Sequence, residues 1–67
     1  MTFGDALEQM KAGRQCSRSA WIFRDVVYTK YTSDMTPYLV VKAGDADPIP
    51  YWATDIDIFS NDWEVVL

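Results

Sequence analysis

Val26-Val27-Tyr28-Thr29-Lys30-Tyr31, followed across residues 32–37 by Tyr38-Leu39-Val40-Val41-Lys42-Ala43, is the stretch that decides the fold. Both runs are rich in β-branched and aromatic side chains, which suit a pleated and half-buried surface. The interval from Thr32 to Pro37 is polar and ends in proline, so it reads as the turn that lets the two strands pair. Gly44, Asp45 and Asp47 supply a second turn ahead of Ile49 to Trp52. A three-stranded antiparallel meander is the economical arrangement.

Outward from that sheet, the pattern changes period. Thr2 with Asp5 fits a capping box, and Phe3, Ala6, Leu7 and Met10 recur at i, i+3, i+4, i+7. Residues 3 to 12 are therefore expected to form a helix, with Asp5, Glu8, Gln9 and Lys11 in water. Gly13 suits the left-handed position just past its end. Arg14 to Trp21 reads as a brief extended segment. Thr54 with Asp57 repeats the capping pattern before Ile56 and Phe59, predicting a short second helix. Trp63, Val65 and Leu67 alternate with Glu64 and Val66, which predicts a closing strand with Trp63 in the core. The fold class is α+β: an N-terminal helix packed on a small antiparallel sheet, a short second helix and a C-terminal strand. Residues 1–67 read as a single domain without repeats or linkers.

A domain of 67 residues buries only about 60% of the surface that its unfolded chain exposes. Such domains commonly rely on disulfides, a structural metal or self-association. Cys16 is the single cysteine and there is no histidine, so an internal disulfide and a closed zinc site both lack ligands. Self-association remains. Three Trp, four Tyr and three Phe are also more than one thin core covers, so some should face a partner or a ligand. No apolar run is long enough for a membrane span and no secretory pattern follows Met1, so a cytoplasmic location is expected.

The net charge of −4 argues against general nucleic-acid binding. Its distribution is uneven. Lys11, Arg14, Arg18, Arg24 and Lys30 face only Asp25 between residues 11 and 30, whereas Asp45, Asp47, Asp55, Asp57, Asp62 and Glu64 follow Lys42. Most of these charges are expected to be solvated or to pair within or between protomers. One or two of the arginines could instead hold a compact anion such as a pyrophosphate.

Catalysis needs a nucleophile, a base and a stabiliser of developing charge in one site, and without histidine the commonest base is missing. The three glycines are scattered, so there is no phosphate-cradling loop. Asp55 and Asp57 point in different directions on a helix, which favours capping over metal binding. No catalytic residue, metal or cofactor is expected. Aromatic faces beside basic and hydroxyl groups are, however, what a purine and a phosphate require. Trp21 follows Arg18 and Ser19, and its reading as ligand platform or as core is evenly balanced. Tyr51 and Trp52 lie next to Thr54 and Asp55 at a helix start.

Phe3-Gly4-Asp5-Ala6-Leu7, Met10-Lys11, Gly13-Arg14, Arg18 and Trp21 resemble the opening of the Thoeris anti-defence family of the second type. Pro37-Tyr38-Leu39-Val40-Val41-Lys42 is similar to its central strand. Pro50-Tyr51, Ala53-Thr54, Asp57-Ile58-Phe59 and Asp62-Trp63-Glu64 are similar to its C-terminal signature. The resemblance implies a homotetramer with pockets between protomers. These bind cyclised ADP-ribose signals made by TIR-domain defence enzymes, and in some members cyclic di- or trinucleotides, without degrading them. Taken with the reading of the residues, it leaves Phe3, Arg18, Trp21, Tyr38, Tyr51, Trp52, Thr54, Asp55 and Asp57 as the ligand-binding candidates, expected at work in the host cytoplasm. Ile22-Phe23 stands where the family has Asn-Gly, and the segment from Arg24 to Asp34 lacks the usual glycine- and asparagine-rich stretch. A protein-binding adaptor or virion component is the competing expectation, and a nucleotide-modifying enzyme the weaker third.

Overall fold

A computed structural model describes residues 1–23 and 25–67; Arg24, counted above in the basic half, lies outside the described residues. The elements in chain order are helix α1 (Phe3–Lys11), strands β1 (Gln15–Arg18), β2 (Val26–Tyr31), β3 (Pro37–Lys42) and β4 (Ile49–Pro50), helix α2 (Asp55–Phe59) and strand β5 (Trp63–Val66). The α+β class holds, with the expected meander extended at one side into a five-stranded antiparallel sheet of order β4-β3-β2-β1-β5. After α2 the chain returns to lay β5 along β1, in a register that sets Cys16 opposite Val65 and Arg18 opposite Trp63.

Local chemistry sets the ends of α1. Thr2 Oγ1 accepts from the Asp5 N–H at 3.1 Å, and Gly13, at φ 92°, takes the left-handed conformation after the Ala12 cap. The helix thus stops at Lys11, one residue short of the expected bound. Gln9 was expected in water but is half-buried, because Arg14 folds back on it and donates to both its side chain and its carbonyl. The third strand also proves shorter than Ile49 to Trp52. Its last ladder residue is Pro50, and although the Tyr51 N–H still bonds to Leu39 O at 2.9 Å, Trp52 turns out to solvent.

Both helices lie on one face of the sheet. Ala6 and Met10 of α1 meet Cys16, Val27 and Trp63 there to form the buried core. Trp63 is 2% exposed and is surrounded by Phe3, Trp21 and Tyr51, each in an edge-to-face contact with ring centroids 5.4, 5.4 and 6.5 Å away. Its indole N–H donates to Asp57 O of α2 at 2.9 Å, which satisfies its one polar atom. Its backbone pairs with Met1: Trp63 N donates to Met1 O at 3.1 Å, and the Met1 amino group donates to Trp63 O at 2.8 Å. Leu67, the last residue of the expected alternation, lies past β5 and is exposed.

The other face carries no helix among the described residues. Strand alternation gives it Ser17, Tyr28, Lys30, Val40, Lys42, Glu64 and Val66. Val40, whose cross-strand partners are Tyr28 and Pro50, is nonetheless 2% exposed.

Truncating Trp63 to Ala is expected to cost about 3 to 5 kcal/mol, a large share of the roughly 3 to 10 kcal/mol that a domain of this size has in all. Trp63→Phe, which keeps a ring but loses the bond to Asp57 O, should cost less. Thermal melting followed by circular dichroism would check this order; an Ala variant that melts with the wild type would remove Trp63 from the core.

Candidate functional site

Arg18, the last residue of β1, sits where the basic and acidic halves of the chain meet. Its Nη1 donates to Asp57 Oδ1 at 2.9 Å, its Nε to Asp62 Oδ1 at 2.8 Å and its Nη2 to Asp62 Oδ2 at 3.4 Å. The side chains of Arg18 and Asp57 are mostly buried and that of Asp62 is partly open. Tyr51 Oη donates to the second Asp57 oxygen at 2.7 Å, and the Asp57 N–H donates to Thr54 Oγ1 at 3.3 Å as the α2 cap. The hydrogen bond from Arg18 holds Asp62 below the usual carboxylate range. Burial, helped by the bond to Asp57, keeps the Tyr51 phenol protonated well into alkali.

Asp62 also shapes the chain that follows Arg18. Its Oδ2 accepts from the Ala20 N–H at 3.0 Å and from Ser19 Oγ at 3.4 Å, and its carbonyl accepts from the Ser19 N–H at 3.1 Å. The Trp21 N–H closes the turn onto Arg18 O at 3.1 Å. The turn delivers Trp21 to the edge of the core, where one side of the indole meets Trp63. A cavity of about 280 Å³ opens beside it, lined by Ser17, Arg18, Ser19, Trp21, Ile22, Glu64 and Val66. Ser17, Glu64 and Val66 belong to the uncovered sheet face, so the cavity opens toward that face.

A family profile described as the Thoeris anti-defense 2-like (Tad2-like) domain matches residues 1–66. The chain belongs to the Tad2-like family. Membership assigns it an anti-defence role against Thoeris on behalf of a phage. No curated protein matches the chain.

In this Tad2-like protein the residues singled out from sequence do not form one cluster. Arg18 and Trp21 share the cavity, and Tyr51, Thr54 and Asp57 stand behind it as its support. Phe3 packs on Trp63, half-buried. Tyr38 borders a separate shallow apolar groove with Leu7, Lys11 and Leu39. Trp52 and Asp55 are exposed. Arg18, expected to offer charge to an anion, has its guanidinium engaged by two carboxylates, which is the internal pairing that the charge asymmetry also allowed. Sequence reasoning missed Ser17, Glu64 and Val66 as wall residues, because only the β1–β5 register brings them beside Trp21. It also missed Asp62, although an acid directly before Trp63 and a basic residue at the end of an extended segment were both visible. Ile22 gives the cavity an apolar rim and is itself almost fully exposed.

Arg18→Ala leaves Asp57 and Asp62 facing one another without a cation. The cost falls toward the lower end of about 3 to 5 kcal/mol, because Asp62 keeps some contact with water, and melting temperature is the measurement. Since Asp62 titrates below its unfolded value of about 3.9, its contribution is present above that pH and is lost as pH falls through the lower folded value. Melting temperature plotted against pH should therefore drop in that acid window for the wild type and less steeply for Asp62→Asn; equal slopes would mean that Asp62 makes no ion pair in solution.

Proposed function

We propose that this Tad2-like protein sequesters a cyclic nucleotide signal of the Thoeris system, of the cyclised ADP-ribose type or a cyclic oligonucleotide, and holds it chemically unchanged so that the effector stays off. The observation that carries the reading is the cavity at the end of β1, where the indole of Trp21 stands beside two serine hydroxyls in a member of an anti-defence family. An indole face stacks on a base with about 1 to 3 kcal/mol. The cavity suits binding better than bond cleavage. The cation on its wall is held by two carboxylates, and the remaining ionisable wall residue, Glu64, is exposed.

Two features support assembly into a homo-oligomer, with a tetramer as the reading implied by the family. A single cavity of about 280 Å³ lies just under the roughly 300 to 1,000 Å³ of ordinary ligand sites, so one protomer encloses only part of a cyclic dinucleotide-sized ligand. The cavity also opens on the half-apolar sheet face that carries no helix among the described residues. A second protomer set there would complete the enclosure and supply the stability that a small core lacks. Nanomolar affinity corresponds to ~−12.3 kcal/mol, beyond what one stacked base provides. The site of action in this reading is the host cytoplasm, where the signal is made.

A protein-binding adaptor is the second reading, favoured by the exposed Trp52, Ile56 and Phe59 around α2. Native mass spectrometry with a panel of cyclic ADP-ribose isomers and cyclic oligonucleotides, followed by heat release and identification of the ligand, separates the readings. The expected outcome is a multimer that releases intact ligand. Released ligand of altered mass would make the protein an enzyme, and no retained ligand would favour the adaptor. Sedimentation at micromolar concentration should show a multimer; a monomer of the sequence mass would sink the shared-pocket reading.

A further inference from the structure

The cavity beside Trp21 is acidic, and its chemistry sorts the parts of a nucleotide. One cation, Arg18, stands against three carboxylates: Asp57 and Asp62, which bind it, and Glu64, which sits on the cavity wall. Three of the five guanidinium N–H groups already donate to two carboxylates, so the cation presents no uncompensated positive charge to a phosphate. The nearby backbone N–H groups are engaged too, those of Ser19 and Ala20 by Asp62 and that of Trp21 by Arg18 O. What the wall offers instead is an indole face, the Glu64 carboxylate and serine hydroxyls.

Ser17 adds a second and independent observation. It is 6% exposed and lines the cavity, and among the described residues its hydroxyl makes no hydrogen bond. Among those residues no fully enclosed side-chain polar atom is left without a partner, so the Ser17 hydroxyl keeps some contact with solvent. A nearly buried hydroxyl without a protein partner, on a residue that lines a cavity, can take a small polar group in place of water. Glu64 can only accept hydrogen bonds when ionised, and the hydroxyls can donate or accept. The complementary ligand is flat, uncharged and carries N–H or O–H donors.

We infer that this cavity receives the nucleoside portion of the signal, an amino-bearing base with its neutral sugar, and excludes the phosphates, which lie outside it. The inference rests on the sequestration reading and deepens it. Arg18 is then a positioning residue: through Asp62 it fixes the turn that carries Trp21, and it does not bind the anion. Ile22 at the rim fits the same assignment, since an apolar edge accommodates a base and gives a phosphate no donor.

The test titrates adenosine and its 5′-monophosphate into the isotopically labelled protein and follows backbone and indole N–H signals by NMR, at low and at high salt. Adenosine is expected to shift the signals of Ser17, Ser19, Glu64 and the Trp21 indole. The monophosphate should bind no more tightly, and raising the salt should not weaken adenosine. Glu64→Gln, an exposed and nearly isosteric change, should improve the monophosphate relative to adenosine by about two- to fivefold, the range for a surface charge pair. A monophosphate that binds tenfold more tightly than adenosine and is weakened by salt would overturn the inference and put the anion in the cavity. If neither probe moves the cavity signals while a cyclic ADP-ribose isomer still binds, the cavity assignment fails and sequestration stands. If no nucleoside, nucleotide or cyclic signal binds at all, both fall together.

Discussion

The burial of Trp63 is the constraint on which the other elements depend. A side chain of that size in a chain of 67 residues must be enclosed from several directions, and each enclosing group comes from a different part of the sequence. Phe3 and Met10 come from α1, Cys16 from β1, Trp21 from the turn after it, Tyr51 from the chain after β4, and the Asp57 carbonyl from α2. Removing the indole would take away the one surface they share. The pairing of Met1 with the Trp63 backbone adds the start of the chain to the same point.

Around this apolar centre runs a polar belt whose purpose is geometric. Asp57 accepts from Arg18 and Tyr51 while its own backbone caps α2 and bonds to Trp63. Asp62 accepts from Arg18 and from the Ser19–Ala20 turn. Charged groups at the boundary of a core are costly unless each is paired, and here the pairing also fixes the turn that presents Trp21. Rigidity of the cavity wall and stability of the fold thus come from the same few side chains. Substitutions at Arg18 therefore report on both and cannot by themselves identify a ligand contact.

The arrangement divides the molecule by face. One side of the sheet is closed by two helices and is devoted to folding. The other, with Tyr28, Val40, Lys30, Lys42 and the mouth of the cavity, carries no helix among the described residues. In the proposed sequestration reading, enclosure of the ligand and association of protomers would be driven by the same buried area.

The sequence by itself determined the elements and the class of the fold. Runs of β-branched and aromatic residues in Val26–Tyr31 and Tyr38–Val41, period-3.6 spacing in Phe3–Met10, and hydroxyl caps at Thr2 and Thr54 are local signals, and local hydrogen bonding enforces them. It also carried the family signature and the core role of Trp63. The tertiary structure alone decided that β5 pairs with β1, since strand order follows from which apolar faces must be buried together and leaves no local mark. That one pairing brings Glu64 and Val66 beside Trp21 and sets Arg18 opposite Trp63, next to Asp57 and Asp62. It gives Arg18, which the sequence offered both as an anion ligand and as an ion-pair partner, two carboxylates 39 and 44 residues away in the chain, because charge is neutralised across space.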